Sequence, residues 1–211
     1  MTRLTKLVMG IRFLVMIWVC LTLLACSEKP PEWSLYDVSG HLPDLSFSLQ
    51  AAGNQTLTQE DLNGKTVLLF FGYASCPDIC PTTMAQLSQV VQDLGDEARD
   101  VRILFISVDP HRDKPDMLQA YVDAFNKNAI GLTGDEQQVS DLARRYRVAY
   151  QIEKPKPGDD PNNYEVTHSR GVFIFDNLGH ARLLASDTEQ TDALTKDIRQ
   201  LLKLTQSSSK H

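Results

Sequence analysis

Two cysteines, Cys76 and Cys80, stand with three residues between them in the segment Phe71-Gly72-Tyr73-Ala74-Ser75-Cys76-Pro77-Asp78-Ile79-Cys80-Pro81. A helix rises about 1.5 Å per residue, which puts positions i and i+4 about 6 Å apart on one face. That separation allows a disulfide, whose Cα atoms lie about 4.4–6.8 Å apart. It equally allows both sulfurs to grip one metal ion. A helix start carries positive potential that stabilises thiolates. Thiolates are soft ligands, and two of them with one imidazole suit Cu(I), or zinc if a fourth ligand exists. Thiol–disulfide exchange with a partner is the other use of such a pair, although the usual redox motif has two intervening residues rather than three. A purely structural role for two thiols this close, each followed by a proline, is the plain alternative and the weaker one. Asp78 is a candidate to tune the pair, or an ordinary acid at a helix start.

A metal site needs a third ligand, and the chain has five histidines. His211 lies in the tail, His41 in the segment expected to tether the domain, and His180 just after a turn glycine. His111 sits in Asp109-Pro110-His111-Arg112-Asp113, after an apolar run and on the same edge as the cysteines. His168 sits in Val166-Thr167-His168-Ser169-Arg170, between a polar loop and another apolar run. From the residues alone both stay open, with a solvated or hydrogen-bonded imidazole as the ordinary alternative.

The remaining cysteines, Cys20 and Cys26, belong to the N-terminus. Residues 1–12 are basic, with Arg3, Lys6 and Arg12 and no acid, and Phe13 to Ala25 is an unbroken apolar run. A membrane-spanning helix needs about 20 apolar residues, so this run fits the core of a signal peptide. Leu23-Leu24-Ala25-Cys26, followed by polar Ser27-Glu28-Lys29, resembles a bacterial lipoprotein signal, with cleavage before Cys26 and lipid attached to it. The alternative is an uncleaved anchor reaching back through a snorkelling Arg12. Either arrangement puts the folded body outside the cytoplasm and anchored to a membrane, in the cell envelope, where a disulfide can form. Cys76 and Cys80 are then the thiols of the folded body.

The elements that must position these groups read as an α/β alternation. The 211 residues suit one domain with an appendage: a signal at 1–25, a tether at 26–41, a domain at 42–205 and an unstructured tail at 206–211. Leu45 to Leu49 and Gln55 to Thr58 suggest an N-terminal hairpin. Thr66 to Tyr73, Val101 to Val108 and Gly171 to Asp176 are continuous apolar runs, the mark of strands covered on both faces. Helical spacing appears in Met84, Leu87, Val91 and Leu94, in Leu118, Tyr121 and Phe125 behind Pro115, in Val139, Leu142, Ala143 and Tyr146, and in Leu194, Ile198, Leu201 and Leu202. The last helix is expected to begin at Asp187, with Gln190 completing a capping box. Strands alternating with helices predict a central, mainly parallel sheet with helices on both faces. The cysteines follow a central strand where a helix begins, which is where open α/β sheets place their chemistry. The arrangement is thioredoxin-like.

Composition excludes other classes. Hydrophobic residues are 42% and charged residues 23%, as in soluble globular chains. The net charge is −6, and without residues 1–25 the body has 18 basic against 27 acidic side chains, a net of −9. Such a body repels phosphate backbones, so nucleic acid is not an expected partner. There is no phosphate-binding glycine loop and no serine-nucleophile elbow. Beyond the signal only Met84 and Met117 remain, too few for a methionine-rich copper store.

Taken together, the motifs resemble the Sco/SenC family of copper-handling proteins over roughly residues 41–204. The residues that carry the resemblance are Gly72-Tyr73, Cys76-Pro77-Asp78-Ile79-Cys80-Pro81, Ser107-Val108-Asp109-Pro110 with Arg112-Asp113, Leu132-Thr133-Gly134, and Val166 to Ser169 ahead of the GVFIFD strand. The resemblance implies a thioredoxin-like fold with extra elements and copper, as Cu(I) or Cu(II), held by Cys76, Cys80 and His168. It also implies a place for Asp109 near the site, where a turn-forming Asp-Pro is the competing role. Thr167 stands where the family often has aspartate. The expected function is delivery or preparation of copper for the CuA centre of cytochrome c oxidase, with the CuA-bearing subunit or another copper-receiving protein as partner. A thiol–disulfide oxidoreductase acting on the same partner is the alternative, and a peroxidase of related fold a weaker third.

Overall fold

The computed structural model describes residues 31–153 and 164–208, together with Arg12, Pro155, Gly158, Asp160 and Pro161. The chain divides into two units, 1–32 and 33–211, and the second holds the sheet and its helices. The apolar segment and Cys26 lie outside the described residues. Among the described residues no helix is long and apolar enough to cross a membrane.

The centre is the run Thr66–Gly72, strand β4, numbered to come after β1 (Tyr36–Asp37), β2 (Ser48–Ala51) and β3 (Gln55–Thr58). Every residue of β4 is buried, which explains why it lacks the alternation of a half-exposed strand. Helix α1 (Ile79–Asp93) leads to β5 (Val101–Ser107), α2 (Pro115–Asp123) to β6 (Ala129–Leu132), and α3 (Glu136–Arg145) to β7 (Tyr150–Ile152). Strands β8 (Val166–His168), β9 (Val172–Phe175) and β10 (Ala181–Ala185) and helix α4 (Thr191–Ser208) complete the order. The main sheet runs β1-β10-β9-β4-β5-β6. Its centre is parallel, with Phe70 opposite Phe105 and Gly72 opposite Ser107, and β5 pairs in parallel with β6. On the other side β9 runs against β4 and β10 against β9, so β10 again runs with β4. The N-terminal hairpin forms as β2 and β3, in register from Ser48–Thr58 to Ala51–Gln55.

Helices cover both faces, as aromatic contacts show. Successive strand residues point to opposite faces. On the face of Phe70 and Gly72, the Phe105 ring meets Tyr121 of α2 at 5.4 Å. On the face of Phe71, Tyr146 at the end of α3 meets Phe173 and Phe175 at 5.8 and 5.5 Å. Each such buried side chain contributes about 1.5–3 kcal/mol by leaving water. Helix α3 starts as its sequence suggests: the Asp135 carboxylate accepts from the Gln138 amide while the Gln138 side chain caps Asp135 in return.

Three boundaries differ from the expectation, one of them the end of α4, which runs to Ser208 and so into the segment expected as an unstructured tail. The last helix starts at Thr191, not Asp187, because the Asp187 carboxylate accepts from the amide two residues on, at Glu189, and makes a turn instead of a cap. The segment expected as a tether is folded onto the domain from Trp33. The buried Asp197 carboxylate of α4 accepts from the amides of Ser34 and Leu35 at 2.6 and 2.8 Å, and β1 pairs with β10.

Candidate metal centre

Strand β4 ends at Gly72, and that glycine shapes the turn leading into α1. A Cβ there would lie 2.9 Å from Cys80 Sγ and 3.0 Å from the Phe105 ring. Its absence lets the first turn of α1 settle directly on the sheet. After Tyr73 the chain turns, with the Cys76 amide donating to the Tyr73 carbonyl at 3.2 Å. Helix α1 begins at Ile79, so Cys76 lies in the turn before the helix and Cys80 in its first turn, not both on a helix face. The two still converge: the Cys80 amide donates to Cys76 Sγ at 3.4 Å. Pro81 is tolerated because first-turn amides have no intrahelical acceptor.

The third group arrives from elsewhere. His168 ends β8, which pairs with β7 in a two-stranded ladder separate from the main sheet, Tyr150 facing His168. His168 Nε2 lies 3.2 Å from Cys80 Sγ, and Nδ1 lies 2.9 Å from the Ser169 carbonyl. A carbonyl can only accept, so Nδ1 carries the proton and Nε2 turns its lone pair to the sulfurs. The ligand atoms of Cys76, Cys80 and His168 all lie within 4.8 Å of one another. Donors about 2.0–2.3 Å from a common ion would be spaced this way. The group has no fourth His, Cys, Asp or Glu among the described residues, which suits a soft ion content with few ligands better than a closed tetrahedral zinc site.

The two thiols differ. Burial of Cys76 works against ionisation, but the amides of Asp78 and Cys80 and the Tyr73 hydroxyl outweigh it and hold its pKa below 9.0. Cys80 is fully buried, and that burial pushes its thiol up despite a backbone hydrogen bond at Tyr73. Burial likewise lowers the pKa of His168, with Arg170 adding to the effect, so the imidazole is neutral and able to ligate at neutral pH. Tyr73, held beside Cys76 and edge-on to His168 at 5.9 Å, is pushed up to about 12, chiefly by burial.

The other candidates fall away from this cluster. His111 is exposed, 3.7 Å from Glu136. His180 lies 3.4 Å from Asp176. His41 is exposed, and His211 is outside the described residues. Asp78 is exposed and its carboxylate caps nothing; what it offers Cys76 is its backbone amide. Asp109 is buried and reaches the site through intermediaries. Its carboxylate accepts from Arg112 Nε and, at 2.7 Å, from the Tyr164 hydroxyl. The Arg112 guanidinium lies 3.8 Å over the Tyr164 ring and 5.5 Å from the Tyr73 ring, and it donates to the Tyr164 carbonyl at 3.0 Å. Arg112 and Tyr164 thus pin the approach to β8 onto the loop after β5. Asp113, also buried, accepts from Ser107 Oγ at 2.6 Å and the Ala74 amide at 2.9 Å, bracing the turn before Cys76. Tyr164 escapes sequence reasoning because it falls in no periodic pattern that would mark it as more than a loop aromatic, and Tyr73 is legible as part of the motif but not as a neighbour of Cys76 and His168.

Known proteins share this arrangement. The family model described as SCO1/SenC matches residues 41–203. An SCO2-like protein of Rickettsia prowazekii is 30% identical over 182 residues, 84% of this chain and 87% of its own length. An SCO2-like protein of Rickettsia conorii is 34% identical over 155 residues, 72% and 75% respectively. Among solved structures, ScoI of Bradyrhizobium japonicum with copper bound superposes with a TM-score of 0.66 at 31% identity, covering 75% of this chain and 98% of that one. Yeast Sco1 with copper bound gives 0.67 at 30% identity, covering 76% and 90%. With the thioredoxin-like body, the cysteine turn and the histidine strand all falling inside the matched span, the chain belongs to the SCO1/SenC family.

Proposed function

We propose that the protein is a copper metallochaperone, holding copper between Cys76 Sγ, Cys80 Sγ and His168 Nε2 and delivering or preparing it for the CuA centre of cytochrome c oxidase. The observation that carries this reading is the convergence of those three donors within 4.8 Å, from chain positions 88 residues apart. Relatives solved with copper bound support it. Delivery is by ligand exchange: a partner thiolate or imidazole enters as His168 or the half-exposed Cys76 leaves, so the ion is never free. Lipid on Cys26, after removal of residues 1–25, would anchor the domain to the membrane on the outer side of the cytoplasm, beside a membrane-bound oxidase. The test is metal analysis of the reduced chain from residue 30 onward after exposure to Cu(I), Cu(II) and Zn(II). A one-to-one copper complex, lost with Cys76→Ser, is the expected result; zinc in place of copper, or copper that survives that substitution, overturns it.

The asymmetry of the thiols favours a second reading, reduction of a partner disulfide. Cys76, with its lowered pKa, attacks one partner sulfur and releases the other as a thiolate. Cys80 then displaces the partner, leaving a Cys76–Cys80 disulfide and a reduced partner dithiol, with both electrons drawn from this protein. His168 separates the readings, because dithiol exchange has no need of an imidazole 3.2 Å from the buried sulfur. His168→Ala abolishes tight copper binding under the first reading and leaves partner reduction intact under the second.

A further inference from the structure

The strand that brings in His168 continues directly into a second feature. Ser169, Arg170 and Gly171, which follow the ligand in the chain, line a surface cavity of about 440 Å3. Its floor is apolar and includes the buried side chains of Tyr146, Val148 and Phe173. Its rim holds the exposed His41, Arg147 and Arg170, and no aspartate or glutamate lines it. Volume and lining are those of a site that takes an apolar group and orients it with a few charges.

The charge is out of keeping with the rest of the domain, where acids outnumber bases. Among the described residues neither guanidinium, Arg147 or Arg170, makes a hydrogen bond or ion pair, whereas Arg112, Arg144, Arg182 and Arg199 are engaged with carboxylates. Arg147 also has φ 57, just after α3, its amide donating to the Arg144 carbonyl. That is the left-handed position that ends many helices and favours glycine or asparagine; another residue there costs about 1–2 kcal/mol. Arg147 thus stands, without a carboxylate partner among the described residues, where glycine would suit the backbone better.

We propose that this cavity is the docking site for the copper-receiving protein, accepting an apolar side chain of the partner while Arg147, Arg170 and His41 meet carboxylates flanking it. The proposal rests on the chaperone reading and names the surface it uses. Continuity with the site supports it: the Ser169 carbonyl that orients His168 belongs to the residue that begins the cavity wall. Ser169 and Arg170, which line the cavity, directly follow the ligand that ends the small β7–β8 ladder, so a partner seated there touches the chain beside that ligand. Charge complementarity of this kind acts mainly on encounter and orientation, and its contribution falls with salt.

The test uses the copper-loaded chain from residue 30 onward, which contains the whole unit 33–211, and as acceptor the reduced, metal-free soluble CuA-bearing domain of the same organism. Stopped-flow absorption tracks formation of the acceptor's copper centre. His41→Glu/Arg147→Glu should slow second-order transfer at least tenfold at low salt, flatten its salt dependence and leave copper affinity, measured by chelator competition, within about threefold of wild type. His41→Lys/Arg147→Lys should restore most of the rate, since long-range positive charge is retained. Equal rates for wild type and the Glu variant refute the docking site while leaving the chaperone standing. No transfer from the wild type to a competent acceptor removes the chaperone reading, and this proposal with it. If the Glu variant instead loses binding to vesicles containing anionic phosphatidylglycerol and transfers at the wild-type rate, the face meets lipid and the proposal is wrong.

Discussion

Removing one hydroxyl from Tyr164 tests how the histidine ligand is held. The Tyr164 O–H donates to the buried Asp109 carboxylate at 2.7 Å, while its ring stacks on Arg112 and its carbonyl accepts from the same guanidinium. Tyr164→Phe removes only the first of these. A hydrogen bond to a charged acceptor contributes about 1.5–3 kcal/mol. Tyr164 is half-buried, so water relieves part of the loss and about 1–2 kcal/mol remains. If the clamp matters by setting where β8 carries His168, that loss appears in metal binding, as a roughly 5–30-fold weakening. Competition of the reduced protein with a chromophoric Cu(I) chelator measures it. The decisive arm is a double-mutant cycle. In a His168→Ala background the ligand that Tyr164 positions is gone, so Tyr164→Phe should weaken copper binding no further. Fully additive losses, or an affinity within twofold of wild type for Tyr164→Phe alone, would refute the reasoning.

Other expectations rest on the same contacts. Burial raises the Asp113 carboxyl above its usual 3.8, although Ser107 and Ala74 pull it back; the folded protein holds that proton to higher pH than the unfolded chain, so the stability it confers is present at low pH and lost as pH rises through the raised value. Asp113→Asn should therefore match or exceed wild-type melting at pH 7 and flatten its pH dependence, while Asp113→Leu strands two buried donors at about 1–3 kcal/mol each. Gly72→Ala should cost about 1–3 kcal/mol by overpacking and should disturb copper binding as well, because the new methyl presses on Cys80 Sγ; calorimetry and chelator competition report the two effects. Iodoacetamide at neutral pH should modify Cys76 well before Cys80, read by peptide mass spectrometry, since one thiol is half-exposed with a lowered pKa and the other is buried. Copper at about 100 times its dissociation constant should stabilise the dithiol form by about 2.7 kcal/mol and leave the Cys76–Cys80 disulfide unaffected; equal melting shifts in both forms would place the metal elsewhere.

What could be read from the chain alone has a physical pattern. Strands β4, β5 and β9 announce themselves because burial on both faces leaves long apolar runs, and α3 because Val139, Leu142, Ala143 and Tyr146 recur at helical spacing. The cysteine turn is legible because its chemistry is local. The start of α4 is not, since Asp187 serves a turn or a cap equally well and only the surrounding packing decides. Nor is the packed segment from Trp33: Ser34 and Leu35 show no pattern, and their anchor, Asp197, lies more than 160 residues away. The histidine ligand shows the limit most clearly. Its strand is three residues long and pairs outside the main sheet, so periodicity could not separate it from His111; only the family resemblance did so, and the three-dimensional arrangement agrees. Asp109 lay in a recognisable segment, but its partner Tyr164 sits in a polar stretch where no local signal marks it.

The metal-binding triad draws its ligands from two substructures, a turn leading off the central sheet and a small ladder joined to it by the chain's long excursion through β5, α2, β6 and α3. Closing a loop of 88 residues is entropically slow. A chain still leaving the ribosome can present the cysteine pair before His168, the histidine that completes the set, has been added. The full site therefore comes into being only with the last stages of folding, and a copper ion offered earlier meets a bare dithiol, open to disulfide formation and to the wrong metals. Metallation belongs after maturation, which makes the order of events in biogenesis a property of the topology.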